Sequence, residues 1–254
     1  MSIFHAILLA VIEGITEFLP VSSTGHLILA SSLLRIPQTE FVKNFELFIQ
    51  LGAIAAVAAT YWRRLMTDKT TFTSVLAGFI PTAVIGFVLY PIIKSLFLGN
   101  TAIVVISLIL GGVLLIILEM RTLYKPRGAP LTIQRAVTIG FIQTLSFIPG
   151  VSRAAATIVG GMLVGLPRTA AVEFSFLLAI PTMAAATGLD MVKSGFAFSS
   201  GEWMLLAIGF FGAFLTASAT VKLFVQFVSK HTFVPFGIYR IVAAVAFAIL
   251  TFRQ

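Results

Sequence analysis

From Thr101 to Leu118 the chain runs eighteen residues without one charged side chain. A helix needs roughly 20 apolar residues to cross a bilayer, with a lower bound near 17. Five further segments are predominantly apolar: Phe45 to Trp62, Val75 to Tyr90, Ala170 to Leu189, Trp203 to Thr220 and Phe236 to Phe252, three of them carrying one charged residue, Glu46, Glu173 or Arg240. Val75 to Tyr90 is a little short and extends past Pro91. A chain so built cannot clothe itself for water, because only 10% of its residues are charged while 59% are hydrophobic, whereas a soluble domain is about a quarter charged. The expected fold is an all-α polytopic membrane protein with about six spans, a single integral membrane domain over residues 1–254.

Two other apolar regions are interrupted in the middle. Ile3 to Ile12 and Leu27 to Leu34 flank E-G-I-T-E-F-L-P-V-S-S-T-G-H, and Ala136 to Ile148 and Ala154 to Leu166 flank P-G-V-S-R. Each arm is too short to cross, and the Pro, Gly and hydroxyl residues between arms break helices. Both regions therefore read as re-entrant hairpins lining a protein-enclosed cavity.

Basic residues test this map, since Lys and Arg accumulate in cytoplasmic loops. Ten fall in alternate loops: Arg63, Arg64 and Lys69, then Arg121, Lys125, Arg127 and Arg135, then Arg168, then Lys222 and Lys230. The opposite set holds five, Arg35, Lys43, Lys94, Lys193 and Arg253. With the rich loops cytoplasmic, both termini lie outside, and the two hairpins enter from opposite faces. The net charge of +8 thus belongs to topology and anionic lipid, and nucleic-acid binding is not expected. The absence of Cys excludes disulfides, thiolate metal sites and a Cys nucleophile. Met1 to Ile12 has no Lys or Arg, so it lacks the start of a cleavable signal and is expected to stay.

The broken regions overlay at an offset of 130, pairing Glu13 with Gln143, Thr16 with Ser146, Val21 with Val151 and Ser22 with Ser152. Chance likeness between apolar segments is the competing explanation. Read as a repeat, the copies cover approximately residues 1–118 and 136–252. Each copy has one hairpin and three spans, and an odd number of spans inverts the second copy.

Ionisable groups at membrane depth cost about 2.5 to 3.5 kcal/mol each, so they need partners or a task. Glu13, Glu17, His26, Glu46, Arg153, Glu173 and Arg240 are the candidates. Glu13 and Glu17 share a helical face, and two adjacent carboxylates call for a divalent metal, for Arg153, or for a retained proton. Ser22, Ser23 and Thr24 supply hydroxyls, and His26 or a carboxylate could activate one of them. Ser152 and Arg153, at the mouth of a helix, suit a phosphate, although Arg153 could instead pair with Glu173. Arg240 is expected to pair with Glu46 or Glu173 in a structural role, while His5 and His231 are expected to be solvated bystanders.

E-G-I-T-E-F-L-P-V-S-S-T-G-H, P-G-V-S-R, E-F-S-F-L-L-A-I-P, F-E-L-F-I-Q-L-G and F-V-P-F-G-I-Y-R together closely resemble the undecaprenyl-diphosphate phosphatases of the bacitracin-resistance type. The resemblance implies a bacterial inner-membrane hydrolase that removes phosphate from undecaprenyl diphosphate, recycling the lipid carrier of peptidoglycan synthesis. It places the catalytic set on Glu13, Glu17, Ser23, Thr24, His26 and Arg153, with Ser22, Thr24, Ser152 and Arg153 on the substrate phosphates. It also implies dependence on Mg or Ca, with Glu13 and Glu17 as ligands, and no organic cofactor. In the family the second motif usually reads P-G-x-S-R-S-G-A-T, and here Ala154 and Ala155 replace the Ser and Gly. Ser23 is expected to attack the terminal phosphorus, with His26 or Glu17 taking its proton. Attack by His26 or by a metal-bound water are rival routes. A secondary transporter for an anionic lipid is the alternative, since broken helices and inverted repeats mark transporters too. Type-2 phosphatidate phosphatases need a His soon after their Ser-Arg, and none lies between His26 and His231.

Overall fold

The computed structural model describes residues 1–96, 101–120, 128–194 and 198–252. The basic residues Arg121, Lys125, Arg127 and Arg253 lie outside the described residues. The described chain is all helical. Its order is α1 (Ile3–Thr16), α2 (Ser23–Leu33), α3 (Glu40–Thr67), α4 (Lys69–Leu96), α5 (Thr101–Met120), α6 (Ile133–Gln143), α7 (Arg153–Leu163), α8 (Arg168–Ser194), α9 (Ser200–Val228) and α10 (Val234–Phe252). A 3₁₀ turn, Thr144–Phe147, extends α6.

Among the described residues five helices are long and apolar enough to cross a membrane: Glu40–Thr67, Lys69–Leu89, Ala102–Met120, Arg168–Leu189 and Ser200–Val228. Each overlaps one of the spans expected from sequence, and capped polar turns lengthen α3 and α9. Thr39 accepts from the Val42 amide to start α3, and Ser199 and Glu202 close a reciprocal capping box on α9. The sixth expected span falls on α10, whose apolar stretch Val234–Ile249 is shorter than the other five. The chain is a multi-pass membrane protein. Large side chains such as Phe87, Phe211, Leu215 and Leu223 stand out from the bundle, as a lipid-facing surface requires.

Both interrupted regions fold as two short helices around a turn, α1–α2 and α6–α7. Neither is long enough to cross alone. The first arm runs to Thr16, four residues beyond the expected Ile12, because nothing before Pro20 prevents helix. Lengths recur in order: α2 and α7 both have 11 residues, α3 and α8 have 28 and 27, α4 and α9 have 28 and 29. Packing recurs as well, with α1 against α9 and α6 against α4, α3 against α9 and α8 against α4. Helices α3 and α8 meet at the centre, and α5 pairs with α10. The tight crossings use glycine: a Cβ on Gly140 would collide with the Gly78 carbonyl between α6 and α4.

The turns that close α2 and α7 also match. Arg35 and Ile36 amides return to Ser32 and Ser31 at 3.0 and 2.8 Å, and Gly165 and Leu166 amides return to Met162 and Gly161 at 3.0 Å. Arg35 has φ 52° and Gly165 φ 91°. An L-residue in the left-handed region costs roughly 1–2 kcal/mol, which Gly avoids. Arg35→Gly should therefore raise the unfolding temperature of the detergent-solubilised protein, and Gly165→Ala should lower it. Equal thermal stability of the parent and both variants would show that the two turns carry no such strain.

Candidate active site

The two turns between short arms bring residues 130 apart in sequence to one place. Ser22 and Ser152 stand directly before α2 and α7, with φ 72° and 74°. The Ser152 hydroxyl accepts from the Ala155 amide at 3.1 Å and so caps α7, whereas the Ser22 side chain makes no such cap. Between the tips lies a cavity of about 230 Å³, lined by both of them, by Gln50 of α3 and by Thr182, Met183 and Ala186 of α8.

Arg240 of α10 fixes the backbone of both tips. Its side chain is wholly buried, and its five N–H groups each reach a carbonyl: Leu108 at 3.3 Å from Nε, Pro20 at 3.0 and Val151 at 3.1 Å from Nη1, Ser107 at 3.1 and Gly150 at 2.9 Å from Nη2. Room for the guanidinium comes from Gly111, where a Cβ would collide with it. The expected pairing of Arg240 with Glu46 or Glu173 is not found. Carbonyls freed at broken helices need donors more than the cation needs a carboxylate, and Glu173 is taken by Arg64 at 2.5 Å.

Across the cavity wall, Arg153 of the second tip meets Glu17 at the end of α1. Arg153 Nη2 lies 2.9 Å from Glu17 Oε1, with 11% and 5% of the two side chains exposed. The other Glu17 oxygen accepts the Ser23 hydroxyl at 2.5 Å. Arg153 Nη1 donates to the Ser175 carbonyl at 3.0 Å, Nη2 touches Met183 Sδ at 3.3 Å, and the guanidinium lies 5.6 Å from the centre of the Phe18 ring. The Ser175 hydroxyl is in turn 2.6 Å from that of Thr157. A hydroxyl, a carboxylate and a cation thus stand in series, drawn from both hairpins. Such a series activates an oxygen nucleophile beside a positive charge.

Glu17, Ser22, Ser23, Thr24, Ser152 and Arg153 all line the cavity. Glu13 and His26 do not. Glu13 is wholly buried behind Glu17, and neither of its oxygens has a hydrogen-bond partner among the described residues. Two adjacent buried carboxylates are relieved by a cation or by a proton shared between them. Of the two groups expected to take the Ser23 proton, Glu17 is hydrogen-bonded to the Ser23 hydroxyl and His26 is not. His26 Nδ1 instead points back along α2 to the Ser22 carbonyl at 2.8 Å, and Nε2 meets the Tyr239 hydroxyl at 2.6 Å with the rings stacked. Because a carbonyl only accepts, Nδ1 carries the proton and Tyr239 donates to Nε2 in the neutral ring.

Gln50, Thr182, Ser175 and Tyr239 were not reachable from the ionisable residues alone. Gln50 and Thr182 line the cavity, and Thr182 also accepts from the buried Gln143 at 3.2 Å. Neutral polar residues are tolerated in apolar helices, so only their recurrence along α8, at positions 175, 182 and 187, carries a signal. His5 and His231 are remote from the cavity lining.

Residues 6–246 match the family described as bacitracin resistance protein BacA. An undecaprenyl-diphosphatase of Aquifex aeolicus is 49% identical over 251 residues, covering 98% of this chain and 98% of the relative. Undecaprenyl-diphosphatases of Wolinella succinogenes and Thermus thermophilus are 48% and 47% identical, covering 97% and 100% of this chain and 97% and 99% of theirs. With a match spanning nearly the whole chain and relatives this similar at full length, the chain belongs to the bacitracin resistance protein BacA family.

Proposed function

We propose that this chain is an undecaprenyl-diphosphate phosphatase, hydrolysing the terminal phosphate of the polyprenyl diphosphate carrier and so supporting bacitracin resistance. The observation that carries this reading is the Ser23–Glu17–Arg153 series on one cavity, with contacts of 2.5 and 2.9 Å. A transporter has no need of a hydroxyl hydrogen-bonded to a carboxylate beside an arginine. The full-length relatives are named for hydrolysis.

Ser23 Oγ attacks the terminal phosphorus and its proton passes to Glu17. The bond from that phosphorus to the bridging oxygen breaks, and the prenyl monophosphate leaves. Water then attacks the phosphoserine. Glu17 returns its proton to Ser23 Oγ, and the protons of the water depart with inorganic phosphate. Arg153 and the free amides at the start of α7 stabilise charge on the phosphoryl oxygens, while His26 holds the Ser22 carbonyl and thereby the approach of Ser23. Glu13 and Glu17 would hold a Mg or Ca ion, since Mg commonly binds one or two carboxylates plus substrate phosphates; among the described residues no group of three acidic or His side chains stands there to complete a cage. When bound, that ion neutralises charge on the diphosphate.

The fold reading that accompanies this site is an inverted repeat over residues 1–118 and 136–252 of one membrane domain. The matched helix lengths, the swapped packing partners and the paired positive φ values support it. The protein sits in the bacterial inner membrane with both termini outside.

Four outcomes test these statements. Arg153→Lys should lose at least about a hundredfold in turnover, because an ammonium cannot reproduce the planar fork that binds Glu17 and phosphate together; near-normal phosphate release would reduce Arg153 to a general charge. Glu17→Gln should be as inactive, and activity within tenfold of the parent would remove Glu17 as the base. Exhaustive chelation should stop phosphate release, with Mg or Ca restoring it, and an unchanged rate would exclude the ion. Impermeant labels should reach both termini from outside the cell and the 119–135 loop only after lysis. Termini found on opposite faces would overturn the inverted repeat.

A further inference from the structure

Two of the residues that line the cavity are exposed, Thr24 and Ala186. Beside Ala186, the next residue of α8, Thr187, donates its hydroxyl to Gln50 Oε1 at 2.9 Å. Thr182 on the same helix shows the ordinary alternative, returning its hydroxyl to the Leu178 carbonyl four residues back at 2.7 Å. Thr187 spends its proton on Gln50 instead, so the amide oxygen faces Thr187. The Gln50 NH₂ is left directed to the cavity that Gln50 lines, and it meets no acceptor among the described residues.

Arg153 and Gln50 are the cavity-lining side chains with nitrogen donors. Arg153 is joined to Ser23 through Glu17, and its Nη groups reach Glu17, Ser175 and Met183. Gln50 is held by Thr187, the neighbour of the exposed Ala186. A substrate attacked by Ser23 must place its terminal phosphate beside Ser23 and Arg153. The phosphate that stays with the lipid is then left to the other nitrogen donor, Gln50.

We infer that Gln50 binds the lipid-side phosphate of the diphosphate, with Thr187 as the positioning residue that turns its NH₂ toward the substrate. This rests on the phosphatase reading and refines it. Gln50 carries no charge, so it holds the diphosphate before cleavage and releases the monophosphate afterwards more readily than a second arginine would.

The experiment compares parent, Gln50→Leu, Thr187→Val and Thr187→Ser proteins in detergent with a prenyl diphosphate, using the prenyl monophosphate and inorganic phosphate as inhibitors. Gln50→Leu should raise KM and the inhibition constant of the monophosphate together by about tenfold, the loss of one good hydrogen bond. Inhibition by inorganic phosphate, which occupies the terminal position, should not change. Thr187→Val should show a smaller shift of the same kind and none when added to Gln50→Leu, while Thr187→Ser should match the parent. Were Gln50→Leu too unstable to assay, the Thr187 pair alone decides: equal monophosphate inhibition of Val and Ser variants overturns the inference. So does weaker inhibition by inorganic phosphate in Gln50→Leu with the monophosphate unaffected. A parent protein that releases no phosphate from any prenyl diphosphate would refute the phosphatase reading itself, a result distinct from either.

Discussion

One guanidinium sets the arrangement on which the site depends. Breaking a helix inside a membrane frees backbone carbonyls that water cannot satisfy, at a cost of several kcal/mol for each unpaired group. This chain breaks two helices at the same place, and Arg240 supplies donors to Pro20 on one tip, Gly150 and Val151 on the other, and Ser107 and Leu108 on α5. All five of its N–H groups are used. The tips are thereby tied to each other and to α5 through atoms that no side-chain substitution in the tips can remove.

With the backbones fixed, the side chains that meet between them can be held in an unfavourable combination. A buried ion pair repays its desolvation only when its geometry is good and its remaining donors are met. Glu17 satisfies this by dividing its oxygens between Arg153 and Ser23, whereas Arg153 reaches Ser175 and lies near Phe18 but keeps a buried Nε–H with no hydrogen-bond partner among the described residues. The low polarity around the pair strengthens its field at the Ser23 hydroxyl. In the proposed reaction, charges that would be a liability in a structural helix activate an oxygen and receive a phosphate.

Much of this was legible in the sequence, and the reasons are specific. Glu17 and Arg153 stood out because charge in apolar segments is costly, and the halves had to be read against each other for the pair to emerge. The hairpins were visible because P-V-S-S-T-G-H and P-G-V-S-R cannot continue a helix. Three features were hidden. Arg240 suggests a carboxylate partner because backbone acceptors leave no mark in a sequence. His26 suggests a base for a nearby hydroxyl, but an imidazole one turn along a helix reaches back to the carbonyl of Ser22. Gln50 and Thr187 do not stand out because neutral polar residues are cheap at helix–helix contacts, and their hydrogen bond spans 137 positions of sequence.

The central claim is that Ser23, relieved of its proton by Glu17, takes the phosphoryl group. The most direct measurement is rapid quenching of the working protein with a prenyl diphosphate labelled at the terminal phosphorus, followed by mapping of the protein-bound label. An acid-stable phosphate ester on Ser23 and no turnover by Ser23→Ala are expected. Acid-labile phosphate on His26, or Ser23→Ala retaining a few per cent of the parent rate, would contradict it.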